Sequence, residues 1–187
     1  MKRCILSLVS LIFALHVSAQ GPEVLIPAPA EVTVTGGSYK FSKKGPKVKV
    51  QRLPEGEMPA EAYRIIITKR GITISTSDWG TEACPGAGLS YALQTLNQMT
   101  ADGTVHELQC CEIYDYPRFP YRGLHVDVSR HFRSVDFLKK QIDAMAMFKM
   151  NRMHIHLTDA AGWRLQIDAY PRLTQFAAWR PQHTWKE

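Results

Sequence analysis

The residues from Gly123 to Leu157 constrain this chain more than any other stretch. "GLHVDV" (residues 123–128) is a short apolar strand. Ser134 then stands where a helix can begin, with Asp136 in its first turn. Val135, Leu138, Ile142 and Met145 recur at three- and four-residue spacing, and Lys149 lies near the C-terminal end, where a cation suits the helix dipole. Arg152 to Leu157 is a second strand. Strand, helix and strand in so short a length form a βαβ unit, which implies parallel pairing through a right-handed crossover.

That unit fixes where chemistry can sit. In open parallel sheets and in (β/α)8 barrels alike, ligands collect at the C-terminal ends of the strands. Ser129, Arg130 and His131 follow the first strand, and Thr158 and Asp159 follow the second, so both groups project from one rim. A guanidinium and a carboxylate meeting there can hydrogen-bond neighbouring hydroxyls, a sugar-binding chemistry; the same pair can equally be a bridge tying two loops. His154 and His156 share a strand face at period-two spacing, either as two histidines of a polar wall or as the start of a metal site in a metal-dependent hydrolase. Trp163, Trp179 and Trp185 offer flat faces for sugar stacking, or belong to packing.

Upstream the rhythm differs. Glu31 to Thr35 alternates before Gly36-Gly37, Tyr39 to Phe41 follows, and Lys47 to Val50 lies across Gly45-Pro46. Tyr63 to Thr68 and Ile72 to Ser75 flank Lys69-Arg70-Gly71, a hairpin signal. From Gly88 to Met99 the period becomes helical, with Leu89, Ala92, Leu93, Leu96 and Met99 on one face. Short strands followed by a helix describe a small α+β layer, and the prolines at 117 and 120 place a junction near residue 117. The domain reading is therefore 20–117 and 118–187, after a leader at 1–19.

That leader has basic Lys2 and Arg3, an apolar run from Ile5 to Val17, and small residues before Gln20. It reads as a secretory signal, too short to span a membrane, so the protein is expected in the periplasm, at the cell surface or outside the cell. Losing its two bases lowers the formal charge from +6 to +4. Lys43, Lys44, Lys47 and Lys49 read as the guard of an exposed edge strand. Without interleaved aromatics they exclude a nucleic-acid partner. Cys84, Cys110 and Cys111 lack C-x-x-C spacing, so neither a disulfide framework nor a zinc ribbon follows; they are small buried residues, or one bridge and a spare thiol.

"RGLHVDVSRHF" with "IDAMAMFKMNRMHIHLTDAAGWRLQIDAYPRLT" resembles the opening of the catalytic barrel of glycoside hydrolase family 20, the β-N-acetylhexosaminidases, from Tyr121 to about Arg180. "IPAPAEVTVTGG", "EAYRIIIT", "GITIST" and "GLSYALQTLNQM" are similar to the α+β domain that precedes that barrel. The resemblance implies an α/β fold: an incomplete (β/α)8 TIM barrel, about one strand, one helix and a second strand, after a small α+β domain. It implies removal of terminal N-acetylglucosamine or N-acetylgalactosamine from a glycan with retention, the substrate's acetamido oxygen serving as nucleophile. By that resemblance Arg130 grips sugar hydroxyls, and Asp159 orients a histidine that supports the acid. No cofactor is expected.

The departures are specific. The family's catalytic Asp-Glu pair lies further along, and no Asp-Glu dipeptide occurs here, so no catalytic residue is assigned in this chain. The residues from 118 onward fall far short of the roughly 250 of a (β/α)8 barrel. The upstream domain is abbreviated, and Asp159-Ala160-Ala161 stands where the family often has Asp-Asp-Gln. The expectation is a fragment or truncated product without activity of its own. The alternatives are a non-catalytic carbohydrate-binding module and the metal-dependent hydrolase using His154 and His156.

Overall fold

The alternation of Tyr63, Ile65 and Ile67 with more exposed neighbours sets the centre of the larger sheet. In this computed structural model, which describes residues 19–81, 85–101 and 103–180, that segment is strand β3 (Tyr63–Thr68). It is flanked by β4 (Gly71–Thr76) and β5 (Glu107–Asp115), both antiparallel to it. β1 (Glu31–Lys40) and β2 (Val48–Arg52) form the edges, giving the order β1-β5-β3-β4-β2, with β2 parallel to β4. The expected export signal, Cys84 and Trp185 fall outside the described residues, except that Ala19 is described.

Several elements correct the sequence reading. The break at Gly36-Gly37 is a bulge within a single strand. Both glycines have φ near +84° (83° and 84°), and the register steps from Val34↔Cys111 to Ser38↔Gln109. Extra residues on one strand are absorbed most readily where glycine supplies positive φ. β5 was not anticipated, yet Leu108, Cys111 and Ile113 in it are fully buried. Cys110 and Cys111 are free and buried, so neither forms a bridge. β2 is exposed along its length and carries Lys49, matching the lysine-guarded edge.

Helix α1 (Ala87–Met99) lies against β3 and β4 through Gly88, Ala92, Thr95, Leu96 and Met99. Leu93, placed on that face by periodicity, is 45% exposed instead. Gly88 allows the close approach: a Cβ there would lie 2.4 Å from Thr76 Oγ1 and 2.7 Å from the Ala62 carbonyl oxygen.

The βαβ unit is present with the expected parallel pairing, each strand one residue shorter than read. β6 (Gly123–Asp127) and β7 (Arg152–His156) pair in parallel, with His125 opposite His154 and Asp127 opposite His156. Helix α2 (Val135–Met147) joins them, and Ser134 caps it by accepting from the Phe137 amide at 3.2 Å. Its more buried stripe is Phe137, Leu138, Gln141, Ala144 and Met145, while Val135 and Ile142 are 66% and 52% exposed. β8 (Thr158–Asp159) and β9 (Gly162–Trp163) then form a small antiparallel ribbon, followed by α3 (Arg172–Gln175).

Lys149 is not a dipole partner for α2. Its ammonium leaves the helix and enters the sheet domain, donating to Tyr63 Oη at 2.6 Å and Asp115 Oδ2 at 2.9 Å. Tyr63 also donates to Asp115 at 2.7 Å and lies 2.6 Å from Thr95 Oγ1. Burying a lysine beside a carboxylate and a phenol is tolerable only because each polar atom is partnered.

Candidate active site

The site is built from the residues that end β6 and β7. Asp127, the last residue of β6, accepts the amides of Ser129 and Arg130 on Oδ1, both at 3.0 Å. This turn stops the strand and brings the Arg130 side chain back over the carboxylate, where Nη1 donates to Asp127 Oδ2 at 2.7 Å. The other terminal nitrogen of Arg130 reaches Asp159 Oδ2 at 2.8 Å. The same carboxylate oxygen lies 3.1 Å from His156 Nε2, and His156 Nδ1 is 3.3 Å from Arg130 Nη1. A proton on His156 Nε2 satisfies the contact with Asp159, while Arg130 Nη1, 3.3 Å from Nδ1 and 3.5 Å from Nε2, lies against the ring rather than on one nitrogen's lone pair.

One guanidinium is thus fixed between two carboxylates and a histidine. The Arg130 backbone amide, with its side chain, holds the Asp127 carboxyl down at about 2. The Asp159 carboxyl is also lowered, first by the Ala160 amide at 2.7 Å and then by Arg130 and His156. Both are therefore ionised near neutrality, which keeps Arg130 in place. Arg130 remains half exposed, and its Nε–H has no partner among the described residues. A rigid donor with an open edge suits a hydroxyl pair better than it suits a phosphate, since two carboxylates already balance its charge.

Other contacts join the rim loops independently of that ion pair. Ser129, fully buried, donates to the Gly162 carbonyl at 2.8 Å, and Arg164 Nε donates to the Val128 carbonyl at 2.9 Å. Beside them lies a cleft of about 760 Å³ walled in part by Arg130, Phe132, Trp163 and Trp179. Trp179 is 78% exposed, so its face is available for stacking, whereas Trp163 Nε1 is committed to the Leu165 carbonyl.

The structure therefore brings Arg130 and Asp159 together, as their positions after parallel strands predicted. Asp127 was missed; its signal was the Asp-x-x-Arg spacing at the end of a strand. For the metal alternative, His154 and His156 find no third ligand among the described residues. His154 packs edge-on to His125, with ring centroids 4.6 Å apart, and His125 lies 6.1 Å from His156. Among the described residues no group of three or more His, Cys, Asp or Glu is arranged to hold a metal ion. No helix among them is long and apolar enough to cross a membrane.

The chain matches the model of the glycosyl hydrolase family 20 catalytic domain over residues 119–187 and that of the family's domain 2 over residues 42–116. It is 40% identical over 138 residues to a beta-hexosaminidase of Akkermansia muciniphila, covering 71% of this chain and 27% of that protein. A beta-N-acetylhexosaminidase of Cellulomonas fimi is 38% identical over 155 residues, covering 80% and 28%. Among solved structures, a beta-N-acetylhexosaminidase from Bacteroides fragilis superimposes with a TM-score of 0.73 at 27% identity, covering 87% of this chain and 39% of the other. An exo beta-N-acetylglucosaminidase from Vibrio harveyi, in complex with N-acetylglucosamine, gives 0.72 at 28% identity, covering 90% and 32%. The chain spans 27% and 28% of the two curated relatives' lengths. A small mixed sheet domain followed by the parallel pair of an incomplete barrel, each matched by its own model of one family, means that this chain belongs to glycosyl hydrolase family 20.

Proposed function

We propose that this chain carries the sugar-holding rim of a β-N-acetylhexosaminidase, which releases terminal N-acetylglucosamine or N-acetylgalactosamine from glycans with retention of configuration. The observation that carries the reading is Arg130, fixed by Asp127 and Asp159 at the C-terminal ends of two parallel strands with its Nε–H edge open. Arg130 binds hydroxyls of the terminal sugar. Asp159, already joined to a histidine and to Arg130, belongs to the relay that supports the acid. In the proposed mechanism the acetamido oxygen attacks the anomeric carbon, so the protein need supply only a proton donor and an orienting carboxylate.

Those last two groups are assigned to an Asp-Glu pair, and these 187 residues contain none. The chain by itself therefore binds sugar without hydrolysing it. A second part of the proposal is export, with Gln20 as the first residue of the mature protein; N-terminal sequencing of secreted material checks it.

The test has two arms. With p-nitrophenyl N-acetyl-β-glucosaminide, the purified chain is expected to release no p-nitrophenol above buffer. Turnover comparable with a full-length family member would overturn the inactivity. In calorimetric titration N-acetylglucosamine should give saturable heat that Arg130→Ala abolishes. No saturation with the unsubstituted chain would overturn the sugar assignment.

A further inference from the structure

The rim residues stand at the C-terminal ends of β6 and β7, and the N-terminal ends of the same two strands are held by charged side chains. Arg122 immediately precedes β6. Its guanidinium donates to Glu61 Oε2 at 2.7 Å, Tyr91 Oη at 2.8 Å, and the carbonyls of Phe119 and Lys149 at 2.9 and 2.8 Å. Asn151 immediately precedes β7; its Nδ2 donates to Glu61 Oε1 at 3.4 Å and its Oδ1 accepts the Arg122 amide at 3.0 Å. Glu61 and Tyr91 belong to the sheet domain, so one carboxylate holds both strand starts. Lys149, two residues further back, enters the buried Tyr63, Thr95 and Asp115 cluster.

The backbone at Lys149 makes this more than incidental packing. After α2, the Lys149 amide donates to the Ala146 carbonyl at 3.1 Å and the Met150 amide to the Met145 carbonyl at 2.8 Å. That pair of bonds is the Schellman ending of a helix, whose left-handed residue is most often glycine. Here it is a lysine with φ +58°, and the side chain is only 7% exposed. Local backbone preference opposes a lysine at this point, whereas the remote cluster requires an ammonium. A local rule broken for a long-range contact marks a position where the contact matters.

We propose that Lys149, with Glu61 and Arg122, is a positioning cluster through which the sheet domain sets the stagger of β6 and β7, and so the spacing of Arg130 and Asp159. The stagger of the two rim ends is the register of this pair, Gly123↔Arg152 through Asp127↔His156, and a one-residue slip would turn every side chain of one strand to the other face. Tying both strand starts to one carboxylate holds that register from outside the pair. The cluster touches no reacting atom. It acts on the rim across a five-residue strand, roughly 16 Å away. This inference rests on the sugar-holding reading for its purpose, while its test needs no sugar.

Amide proton–nitrogen NMR spectra of the purified chain would compare Lys149→Gly with the unsubstituted protein. Glycine relieves the backbone at this position while removing the ammonium. Glu61→Gln, at a partly exposed carboxylate, is the second variant if the first fails to fold. Ile74→Val, in the sheet core, controls for a general loss of stability. The amides of Ser129, Arg130 and Ala160, which bond the rim carboxylates, are expected to shift in both clamp variants by more than they do in Ile74→Val. Rim amides that stay put, while those of Tyr63 and Asn151 move, would overturn the proposal. Titration with N-acetylglucosamine follows separately, so loss of sugar binding and loss of positioning are read by different signals.

Discussion

At the level of single residues, the rim is an electrostatic arrangement whose pH dependence has a definite sign. The Asp127 carboxyl in the folded protein sits at about 2, below its ordinary 3.8. Its contribution is therefore complete above the ordinary value and is lost as pH falls through about 2. Asp159 is lowered too, so its contacts with Arg130 and His156 weaken in the same direction. Carboxyl-carbon NMR titration should place the Asp127 midpoint near 2, and a midpoint close to 3.8 would contradict the hydrogen bonds from Ser129 and Arg130. In the buried cluster, Tyr63→Phe removes the hydroxyl that partners Lys149, Asp115 and Thr95. The expected loss is about 1–3 kcal/mol, read by urea unfolding. Arg130 and Asp159 were legible in the sequence because each follows a strand, and a βαβ unit brings such positions to one rim. Asp127 was not, because an acid in an alternating strand looks like a solvent-facing residue. Lys149 was misread because a base after a helix has a local explanation, and nothing local announces a partner 86 positions away.

Secondary-structure elements were recovered wherever apolar spacing and a cap agreed. α2 begins at Ser134, and Ser134→Ala should cost about 1 kcal/mol by leaving the Phe137 amide without its acceptor; thermal unfolding measures this. Spacing set the buried face of each helix less well than its extent, missing at Leu93 and Ile142, because several apolar residues on one helix compete for a single buried face. β5 was hidden for a different reason. Its buried residues include adjacent Cys110 and Cys111, read as small buried residues or a bridge but not as members of a strand, and Gln109 and Glu112 dilute the apolar signal. The bulge in β1 was read as a break between two short strands because two glycines serve either purpose. One close approach of α1 to the sheet depends on one missing atom. Gly88→Ala places a methyl 2.7 Å from the Ala62 carbonyl oxygen, which backbone can relieve only by moving α1. A destabilisation of about 1–3 kcal/mol is expected from such overpacking; a change within error would show that α1 shifts freely.

At the scale of the whole molecule, the two parts are unequal in what holds them. The sheet domain has a continuous core that includes Tyr63, Ile65, Ile67, Ile74, Leu108 and Ile113, closed by α1. The β6–β7 pair has nothing comparable: no residue within either strand is buried, and a two-stranded sheet is marginal by itself. Its order is borrowed from the sheet domain through Arg122, Asn151 and Lys149, with Gln98 Nε2 adding a bond from α1 to the Met147 carbonyl at 2.8 Å. Opening should therefore occur in two stages, the strand pair first. Native-state hydrogen exchange should show lower opening free energies for the β6 and β7 amides than for those of β3 and β5. Lys149→Met then separates the stages further. It leaves the Asp115 carboxylate buried without its cation, a defect of about 3–5 kcal/mol when a buried pair loses one partner. Part of that cost falls on the sheet domain, which keeps Asp115, and the Tyr63 hydroxyl and the Ala30 amide at 3.2 Å still bond the carboxylate there. The strand pair loses its anchor outright. Protection in β7 is accordingly expected to fall further than protection in β5, whereas an equal fall in both would mean that the molecule opens as one unit and that the rim has no separate dependence on the clamp.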